Sequence, residues 1–292
     1  MSLSISARIL DFSRLVKFEH TVFALPFALA SAVTAADGMP PWNVSLWILL
    51  AMVGARTAAM AFNRIVDAEY DRRNPRTANR EIPAGKVSFA EACGLTAIGA
   101  AALVFAANRL NALAFALSPV ALAVIFGYSY TKRFTSLSHL VLGLALGIAP
   151  AGAWIAVKGT LSSAPIALAA AVMTWTAGFD ILYSLQDTDF DRREGLFSIP
   201  AKFGITKALL ISRLLHVVMV ILLCAFGLLA NTGFIYFAGV LFVAVFLIRE
   251  HQMVRPDNFS KINAAFFLMN GYVSIGFLFF TFLSITVRKL WI

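Results

Sequence analysis

The stretch Asn63-Arg64-Ile65-Val66-Asp67-Ala68-Glu69-Tyr70-Asp71 ends a long apolar run in acidic residues, and Asp187-Thr188-Asp189-Phe190-Asp191 ends a second run in the same way. In both stretches two aspartates lie four residues apart, a spacing that places them on one face of a helix about one turn from each other. Grouped carboxylates suit Mg²⁺, which takes one or two protein carboxylates together with phosphate oxygens and water. The sequence therefore predicts two apolar helices that end in acidic clusters and bind a diphosphate at a membrane surface.

The composition is that of a membrane protein. Of 292 residues, 60% are hydrophobic and 13% are charged, and the mean hydropathy is +0.81. These values exclude an ordinary soluble protein and predict an all-α, polytopic membrane protein. The net charge of +9 is carried by short segments between apolar runs, which favours loops facing anionic lipid, with membrane lipid and not nucleic acid as the partner. Cys93 and Cys224 lie inside apolar runs, which favours packing over a disulfide or a metal site.

Apolar runs of about twenty residues, the length a bilayer requires, predict nine transmembrane helices around a central cavity open to the cytoplasmic side. Apolar residues at helical spacing in residues 5–19, with basic residues between them, predict an interfacial amphipathic helix before the first span. We expect residues 1–292 to form a single transmembrane domain, with 1–19 as that interfacial helix. The nine predicted spans are approximately residues 20–36, 45–66, 89–108, 112–130, 137–157, 165–186, 208–230, 234–248 and 264–287.

The distribution of Lys and Arg predicts the orientation. The N-terminal segment and alternate loops hold seventeen of these residues, whereas the loops on the opposite side and the C-terminal end hold four, namely Arg109, Lys158, Arg288 and Lys289. Because positive loops stay in the cytoplasm, this bias places the N-terminus and both acidic clusters on the cytoplasmic side of a bacterial-type inner membrane. Spans two and six also form a weak repeat, since both end in Asp-x3-Asp and precede a basic loop. We therefore expect the two clusters to face each other across one mouth.

The first cluster forms a row of possible ligands. Asn63, Asp67 and Asp71 are spaced i, i+4 and i+8, and on a helix such a row drifts by only about 80 degrees. All three could approach one ion, or they could merely solvate a helix end.

Asp180 lies inside the sixth span, where a charged residue costs about 2.5 to 3.5 kcal/mol on insertion scales. It shares a helical stripe with Tyr183 and Asp187, which predicts a polar cavity wall leading from the metal site. An ion pair with Arg56 would explain the buried charge equally well.

A diphosphate also needs positive charge. Arg80, Lys132 and Arg133 are the favoured phosphate ligands, since they lie on the predicted cytoplasmic side and Arg suits bidentate phosphate binding. Arg64, Arg192 and Arg193 could contribute, or could serve only to orient the chain.

Two further groups have open roles. Tyr128 precedes the Lys132-Arg133 pair and could shelter a carbocation, or belong to an interfacial aromatic belt. Arg14, Lys17 and His20 could meet an anionic acceptor, or form a snorkelling surface face.

Gly143 and Gly147 form a small-xxx-small pair that predicts close helix packing.

These residues resemble the UbiA family of intramembrane aromatic prenyltransferases. The matching motifs are Asn-x3-Asp-x3-Asp from Asn63, the following Arg76-Thr77-Ala78-Asn79-Arg80-x2-Pro83-x-Gly85, Tyr-x3-Asp-x3-Asp from Tyr183, and Lys132-Arg133-Phe134-Thr135. The resemblance covers essentially the whole chain. The sequence departs from the family pattern at Gln186 and by an additional acidic residue, Asp189.

The resemblance implies a Mg²⁺-dependent transfer of a polyprenyl group from polyprenyl diphosphate to an aromatic acid. It implies metal ligation by Asp67, Asp71, Asp187 and Asp191 with assistance from Asn63, and a role for Asp180 and Arg133 in acceptor orientation or phosphate binding. Ionisation of the allylic C–O bond gives a carbocation that attacks an electron-rich ring position.

The identity of the acceptor rests on similarity within the family. The sequence is most similar to members that prenylate 4-hydroxybenzoate in quinone biosynthesis. The segment from Lys17 to Phe27 is also similar to members that prenylate a different aromatic acid for menaquinone. A cation-coupled transporter is the alternative from another class, but transporter sites lie near the bilayer midplane within inverted repeats.

Overall fold

The structure is a computed structural model that describes residues 11–17, 21–256 and 258–290. Within these ranges the chain forms helices and connecting turns, without a β-strand. Residues 11–15 are helical, whereas Ile5 and Ile9 of the predicted amphipathic segment, and His20 at the start of the first predicted span, lie outside the described residues.

The helices follow one another with short connections. Their bounds are α1 Thr21–Ala36, α2 Trp42–Val66, α3 Ala68–Arg73, α4 Phe89–Leu110, α5 Ala112–Thr131, α6 Ser138–Lys158, α7 Ser163–Ser184, α8 Thr188–Arg193, α9 Ile199–Phe203, α10 Ile205–Leu229, α11 Phe234–Met253 and α12 Asn270–Leu290. A 3₁₀ turn, Leu185–Asp187, joins α7 to α8, and a helical turn, Ile262–Ala264, with a π-helical turn, Ala265–Met269, precedes α12.

Eight helical stretches in the described part of the chain are long and apolar enough to cross a membrane. They comprise α2, α4, α5, α6, α10 and α11, together with the continuous stretches Ser163–Arg193 and Ile262–Leu290. The apolar helix Phe23–Ala36 occupies the position of the first predicted span but is shorter. The all-α membrane architecture is confirmed, while the count of nine spans stays a prediction.

The chain divides into two compact units, and each contains one acidic cluster. The first unit comprises the described residues up to Thr21 together with Leu46–Tyr130. The second comprises Val22–Ser45 and the described residues from Thr131 onward.

Close helix packing at small residues organises the first unit. A Cβ atom added to Gly54 of α2 would lie 2.7 Å from the carbonyl oxygen of Gly99 in α4, so only glycine permits this approach. Buried Leu15 packs against Ala61 in α2 and Ala92 in α4. The helix that carries the first acidic cluster is thereby held along its length.

In the second unit α7 packs against both α6 and α10. A Cβ on Gly147 would lie 2.6 Å from the carbonyl oxygen of Ala169, and one on Gly143 would overlap that of Met173. The prediction that these glycines serve helix packing is confirmed. Because α7 leads directly into the second acidic cluster, its packing fixes the position of that cluster within the unit.

A buried polar network also joins α7, α11 and α12. The Trp175 indole N–H donates to Asn270 Oδ1 at 2.7 Å, and Asn270 Nδ2 donates to Glu250 Oε1 at 2.6 Å. His251 Nε2 and His216 Nδ1 lie 3.0 Å apart beside them. The two bonds pair the Trp175 indole and one Glu250 oxygen, each of which would cost several kcal/mol if left unpaired in a membrane interior. Glu250 Oε2 and His251 Nδ1 are buried without a hydrogen-bond partner among the described residues.

Candidate active site

The first acidic cluster spans the junction of α2 and α3. Helix α2 ends at Val66, as predicted, and Asp67 adopts φ −91° and ψ 1° before α3 begins. The predicted uninterrupted row is therefore broken at Asp67, although the main-chain N–H of Asp71 still donates to the Asp67 carbonyl at 2.8 Å. Asn63 Nδ2 donates to Asp67 Oδ2 at 2.8 Å, so the first two members of the row lie side by side. The approach of all three residues to one ion stays a prediction.

Asp71 is the buried member of this cluster. Its Oδ1 accepts a bond from Arg80 Nη1 at 2.7 Å, and its Oδ2 lies 3.9 Å from Arg64 Nη1. The Arg64 side chain is only 2% exposed. Asp71 Oδ2 and Arg64 Nε are buried and have no hydrogen-bond partner among the described residues. A carboxylate oxygen and a guanidinium N–H are thus both available to a ligand that carries metal and phosphate.

The second cluster repeats this local geometry. The 3₁₀ turn ends at Asp187, which adopts φ −101° and ψ 2° before α8 begins. Asp187 and Asp191 are buried, whereas Asp189 between them is exposed. The same alternation occurs in the first cluster, where Glu69 is exposed and the following Asp71 is buried.

A cation also faces the buried acid of the second cluster. Lys132 Nζ lies 3.8 Å from Asp191 Oδ2, an oxygen that has no hydrogen-bond partner among the described residues. The main chain holds this arrangement, since the N–H of Phe197 donates to the Lys132 carbonyl at 2.7 Å and the N–H of Leu196 donates to the Asp191 carbonyl at 2.8 Å. The loop after the second cluster is therefore hydrogen-bonded to the first residue of the Lys132-Arg133 segment.

The donor sets fit a hard divalent cation. Each cluster offers carboxylate oxygens, and Asp71 and Asp191 each keep one buried oxygen without a hydrogen-bond partner among the described residues. In the described ranges, no three His, Cys, Asp or Glu side chains form a group that could hold a metal ion by themselves. Mg²⁺ commonly takes only one or two protein carboxylates and completes its shell with water and substrate phosphates, so the clusters match its requirements.

Asp180 has a partner that the sequence did not indicate. Its Oδ2 lies 2.7 Å from Nδ1 of His139, which is fully buried near the start of α6. The alternative partner, Arg56, donates to the main-chain carbonyls of Val16 and Lys17 at 3.2 and 3.0 Å. One helical turn after Asp180, the Tyr183 ring packs against the Phe266 ring in a tilted arrangement with a centroid separation of 4.4 Å.

The remaining predicted site residues lie at more open positions. Tyr128 is half-buried near the end of α5, Arg133 is exposed just after that helix, and Arg14 is exposed in the N-terminal segment. Arg192 donates through Nε to the Ala201 carbonyl at 3.2 Å. These positions leave the open roles of Tyr128, Arg133 and Arg14 as predictions.

Comparisons with known proteins agree with the architecture. A model described as the UbiA prenyltransferase family matches residues 24–272. A 4-hydroxybenzoate octaprenyltransferase of Aliivibrio fischeri (strain MJ11) is 31% identical over 253 residues, which is 87% of each chain.

Two solved structures share the fold. The apo structure of a UbiA homologue from Aeropyrum pernix K1 is 34% identical, has a TM-score of 0.79, and covers 93% of this chain and 98% of its own. A UbiA homologue from Archaeoglobus fulgidus, solved with GPP and Mg²⁺, is 20% identical with a TM-score of 0.74, and covers 94% of this chain and 99% of its own.

Proposed function

Since the chain belongs to the UbiA prenyltransferase family, we propose that it transfers a polyprenyl group from polyprenyl diphosphate to 4-hydroxybenzoate in quinone biosynthesis. Relatives named 4-hydroxybenzoate octaprenyltransferase, which align with most of this chain, support this acceptor and donor. The eight apolar helices and the family match make the protein an integral, multi-pass membrane protein.

The observation that carries the proposed chemistry is the repeated pairing of a buried acid with a cation. Asp71 faces Arg64 and Arg80, and Asp191 faces Lys132, while one oxygen of each acid is without a hydrogen-bond partner in the described part of the chain. A structural ion pair would be expected to use both carboxylate oxygens, because an unsatisfied buried acceptor costs about 1–3 kcal/mol. The incomplete pairing favours binding of a ligand that supplies the missing contacts.

We propose that Asp67 and Asp71 of the first cluster and Asp187 and Asp191 of the second bind Mg²⁺, with Asn63 assisting at the first. A bound Mg²⁺ would supply Lewis-acid charge to the diphosphate oxygens. A solved relative that contains GPP and Mg²⁺ shares the fold, which is consistent with this choice of ion. We further propose that both clusters act on the same diphosphate.

The cations complete the binding of the donor. Arg64 and Arg80 beside the first cluster, and Lys132 and Arg133 beside the second, would neutralise negative charge as the allylic C–O bond breaks and both of its electrons leave with the diphosphate. The prenyl cation then bonds to a ring carbon activated by the acceptor hydroxyl, and the ring loses the proton of that carbon.

The positive-inside pattern supports placing this chemistry at the cytoplasmic face of the membrane. The polyprenyl tail would then lie among lipid-facing helices while the diphosphate meets charged residues at helix ends. We propose that Tyr183 and Tyr128 present aromatic surface to the cation. Helix walls around the site would exclude water, which would otherwise capture the carbocation.

A transfer assay tests the proposal. Membranes containing the full chain are incubated with radiolabelled 4-hydroxybenzoate and polyprenyl diphosphate, with Mg²⁺ or with EDTA, beside membranes lacking the protein. Label should move into the organic phase only with protein, donor and Mg²⁺ together. Label that accumulates inside sealed vesicles without a prenylated product would instead indicate a transporter and would reject the proposal.

A further inference from the structure

His139 connects Asp180 to the loop that follows the second acidic cluster. Its imidazole is fully buried, its Nδ1 lies 2.7 Å from Asp180 Oδ2, and its Nε2 lies 3.3 Å from the main-chain nitrogen of Ile199. Ile199 begins α9, and Ser198 caps this helix by accepting a bond from the Ala201 N–H at 3.3 Å. One side chain thereby links α6, α7 and the loop.

The hydrogen-bond partners fix the tautomer of this histidine. The main-chain N–H of Ile199 can only donate, so Nε2 of His139 must present its lone pair. The ring proton then lies on Nδ1, and Nδ1–H donates to the Asp180 carboxyl group. Asp180 is consequently held as a hydrogen-bond acceptor, in one orientation.

The second oxygen of Asp180 remains available. No other hydrogen bond or ion pair of Asp180 occurs among the described residues, and the side chain is 18% exposed. Asp180 precedes Asp187 by seven residues, about two helical turns or roughly 10 Å along the end of α7 and the following 3₁₀ turn. The free oxygen thus lies at a distance from the second acidic cluster that a small aromatic ring can span.

The charge of Asp180 determines which substituent of an aromatic acid could contact this residue. A carboxylate would be repelled by Asp180, whereas a ring hydroxyl can donate to it. A hydroxyl that donates to a carboxylate gains electron density on its oxygen, and the ring positions beside it become better nucleophiles for a prenyl cation.

We propose that Asp180 accepts a hydrogen bond from the ring hydroxyl of the aromatic acid, and that His139 is the positioning residue that holds Asp180 for this contact. This inference rests on the proposed function. The pair would make the site selective for hydroxylated aromatic acids. Binding of the polyprenyl diphosphate would not depend on it.

Substitution of His139 in the full chain, reconstituted in lipid nanodiscs, tests this assignment. His139→Leu removes both ring nitrogens, and we expect the KM for 4-hydroxybenzoate to rise about tenfold or more while the KM for polyprenyl diphosphate changes by less than about twofold. His139→Gln should restore the KM for 4-hydroxybenzoate to within about threefold of the wild-type value, because an amide presents an N–H and a carbonyl oxygen about as far apart as the two ring nitrogens. Ser138→Ala, at a neighbouring buried position, is the matched control and should leave both constants unchanged.

Inhibitors that vary only the hydroxyl give a second readout. Competition by benzoate and 4-methoxybenzoate, neither of which can donate to Asp180, should be weak against wild type, and the preference for a free hydroxyl should largely disappear in His139→Leu. If His139→Leu does not fold, the same inhibitors are tested on Asp180→Asn instead. His139 would fix its carbonyl oxygen, so its N–H₂ would face the ligand. Because N–H₂ can donate to a hydroxyl or a methoxy oxygen alike, the preference for a free hydroxyl should disappear.

Equal changes in both KM values, no rescue by Gln, or unaltered inhibitor preference would show that His139 is only a structural residue and would overturn the inference. Wild-type protein that fails to prenylate 4-hydroxybenzoate at all would instead reject the proposed function.

Discussion

Replacing Asp71 by Asn should nearly abolish prenyl transfer, whereas replacing Glu69 by Gln on the same short helix should not. Asp71 is buried, with one oxygen bonded to Arg80 at 2.7 Å and the other without a hydrogen-bond partner in the described ranges. Glu69 has a side chain that is 76% exposed, and its ion-pair partner in the described part of the chain is the exposed Arg73. Both substitutions remove one negative charge and preserve side-chain shape, so they differ chiefly in burial and partners.

The magnitude follows from what each carboxylate contacts. Asparagine replaces one Asp71 oxygen by an N–H₂ group and removes the charge that would hold the metal and, through it, the leaving diphosphate. Loss of one electrostatic group at a reacting centre costs about 10²–10³ in kcat. Loss of the negative charge beside Arg80 and the buried Arg64 should also lower the free energy of unfolding by about 1.5–3 kcal/mol. An exposed pair such as that of Glu69 contributes little, so Glu69→Gln should stay within about twofold of wild type in both respects.

The assay measures initial rates of diphosphate release and of prenylated product in nanodiscs, normalised to folded protein by tryptophan fluorescence. Thermal unfolding is followed in parallel with and without Mg²⁺ plus a non-hydrolysable donor analogue. Ligand at about 100 times its Kd should stabilise wild type and Glu69→Gln by about 2.7 kcal/mol, and Asp71→Asn much less. If Asp71→Asn keeps more than a third of wild-type activity, or if Glu69→Gln loses as much as Asp71→Asn, the assignment of the buried acid is wrong.

Three further predictions use matched pairs. Asp191→Asn should lower transfer by about 10²–10³ while Asp189→Asn, at the exposed neighbour, retains it; equal losses in the same assay would contradict the assignment of the second cluster. Gly143→Ala should destabilise the protein by about 1–3 kcal/mol through overlap of α6 with α7, whereas Gly152→Ala, whose added Cβ meets nothing within 4 Å, should not; thermal unfolding in detergent distinguishes them. Asn270→Ala should cost about 2–4 kcal/mol because it leaves a buried indole N–H and a buried carboxyl oxygen unpaired, and Asn270→Asp should cost more by adding a second acid beside that carboxyl group; unfolding midpoints equal to wild type would refute the network.

The sequence predicted the membrane helices closely because long apolar runs admit few alternatives. The predicted end at Val66 and the predicted starts at Phe89, Ala112 and Phe234 coincide with the observed helix bounds. The packing role of Gly143 also followed from spacing alone, since close approach of two helices requires small residues at regular intervals.

Periodicity could not predict which acids are buried. Glu69 and Asp71 belong to the same motif, yet Glu69 pairs with Arg73 at an exposed position whereas Asp71 is buried beside Arg80. This difference depends on how the following loop folds back to bring Arg80 to Asp71. The break in the helical dihedral angles at Asp67 was also not predictable. The i→i−4 main-chain hydrogen bonds persist across it, so the same four-residue spacing fits a continuous helix and an interrupted one.

Tertiary contacts account for the residues that sequence reasoning missed. Arg64 was predicted only as one of several basic residues, and nothing in its neighbourhood indicated complete burial beside Asp71. His139 lies 41 positions from Asp180 in a segment with no recognisable motif of its own. Its place after the Lys132-Arg133-Phe134-Thr135 motif, at the polar start of a membrane helix, was the one available signal. The expectation that the two acidic clusters share one diphosphate stays a prediction.

The chemical structure of the reaction product decides whether the protein prenylates 4-hydroxybenzoate. Purified protein in nanodiscs is given 4-hydroxybenzoate and a polyprenyl diphosphate, and the products are analysed by mass spectrometry together with measurement of released diphosphate. We predict one product, in which a prenyl group replaces a ring hydrogen and the hydroxyl and carboxyl groups remain free, formed in equal amount to the diphosphate and only when Mg²⁺ is present. A prenyl ester or ether, diphosphate release without an aromatic product, or product formation that persists in EDTA would contradict it.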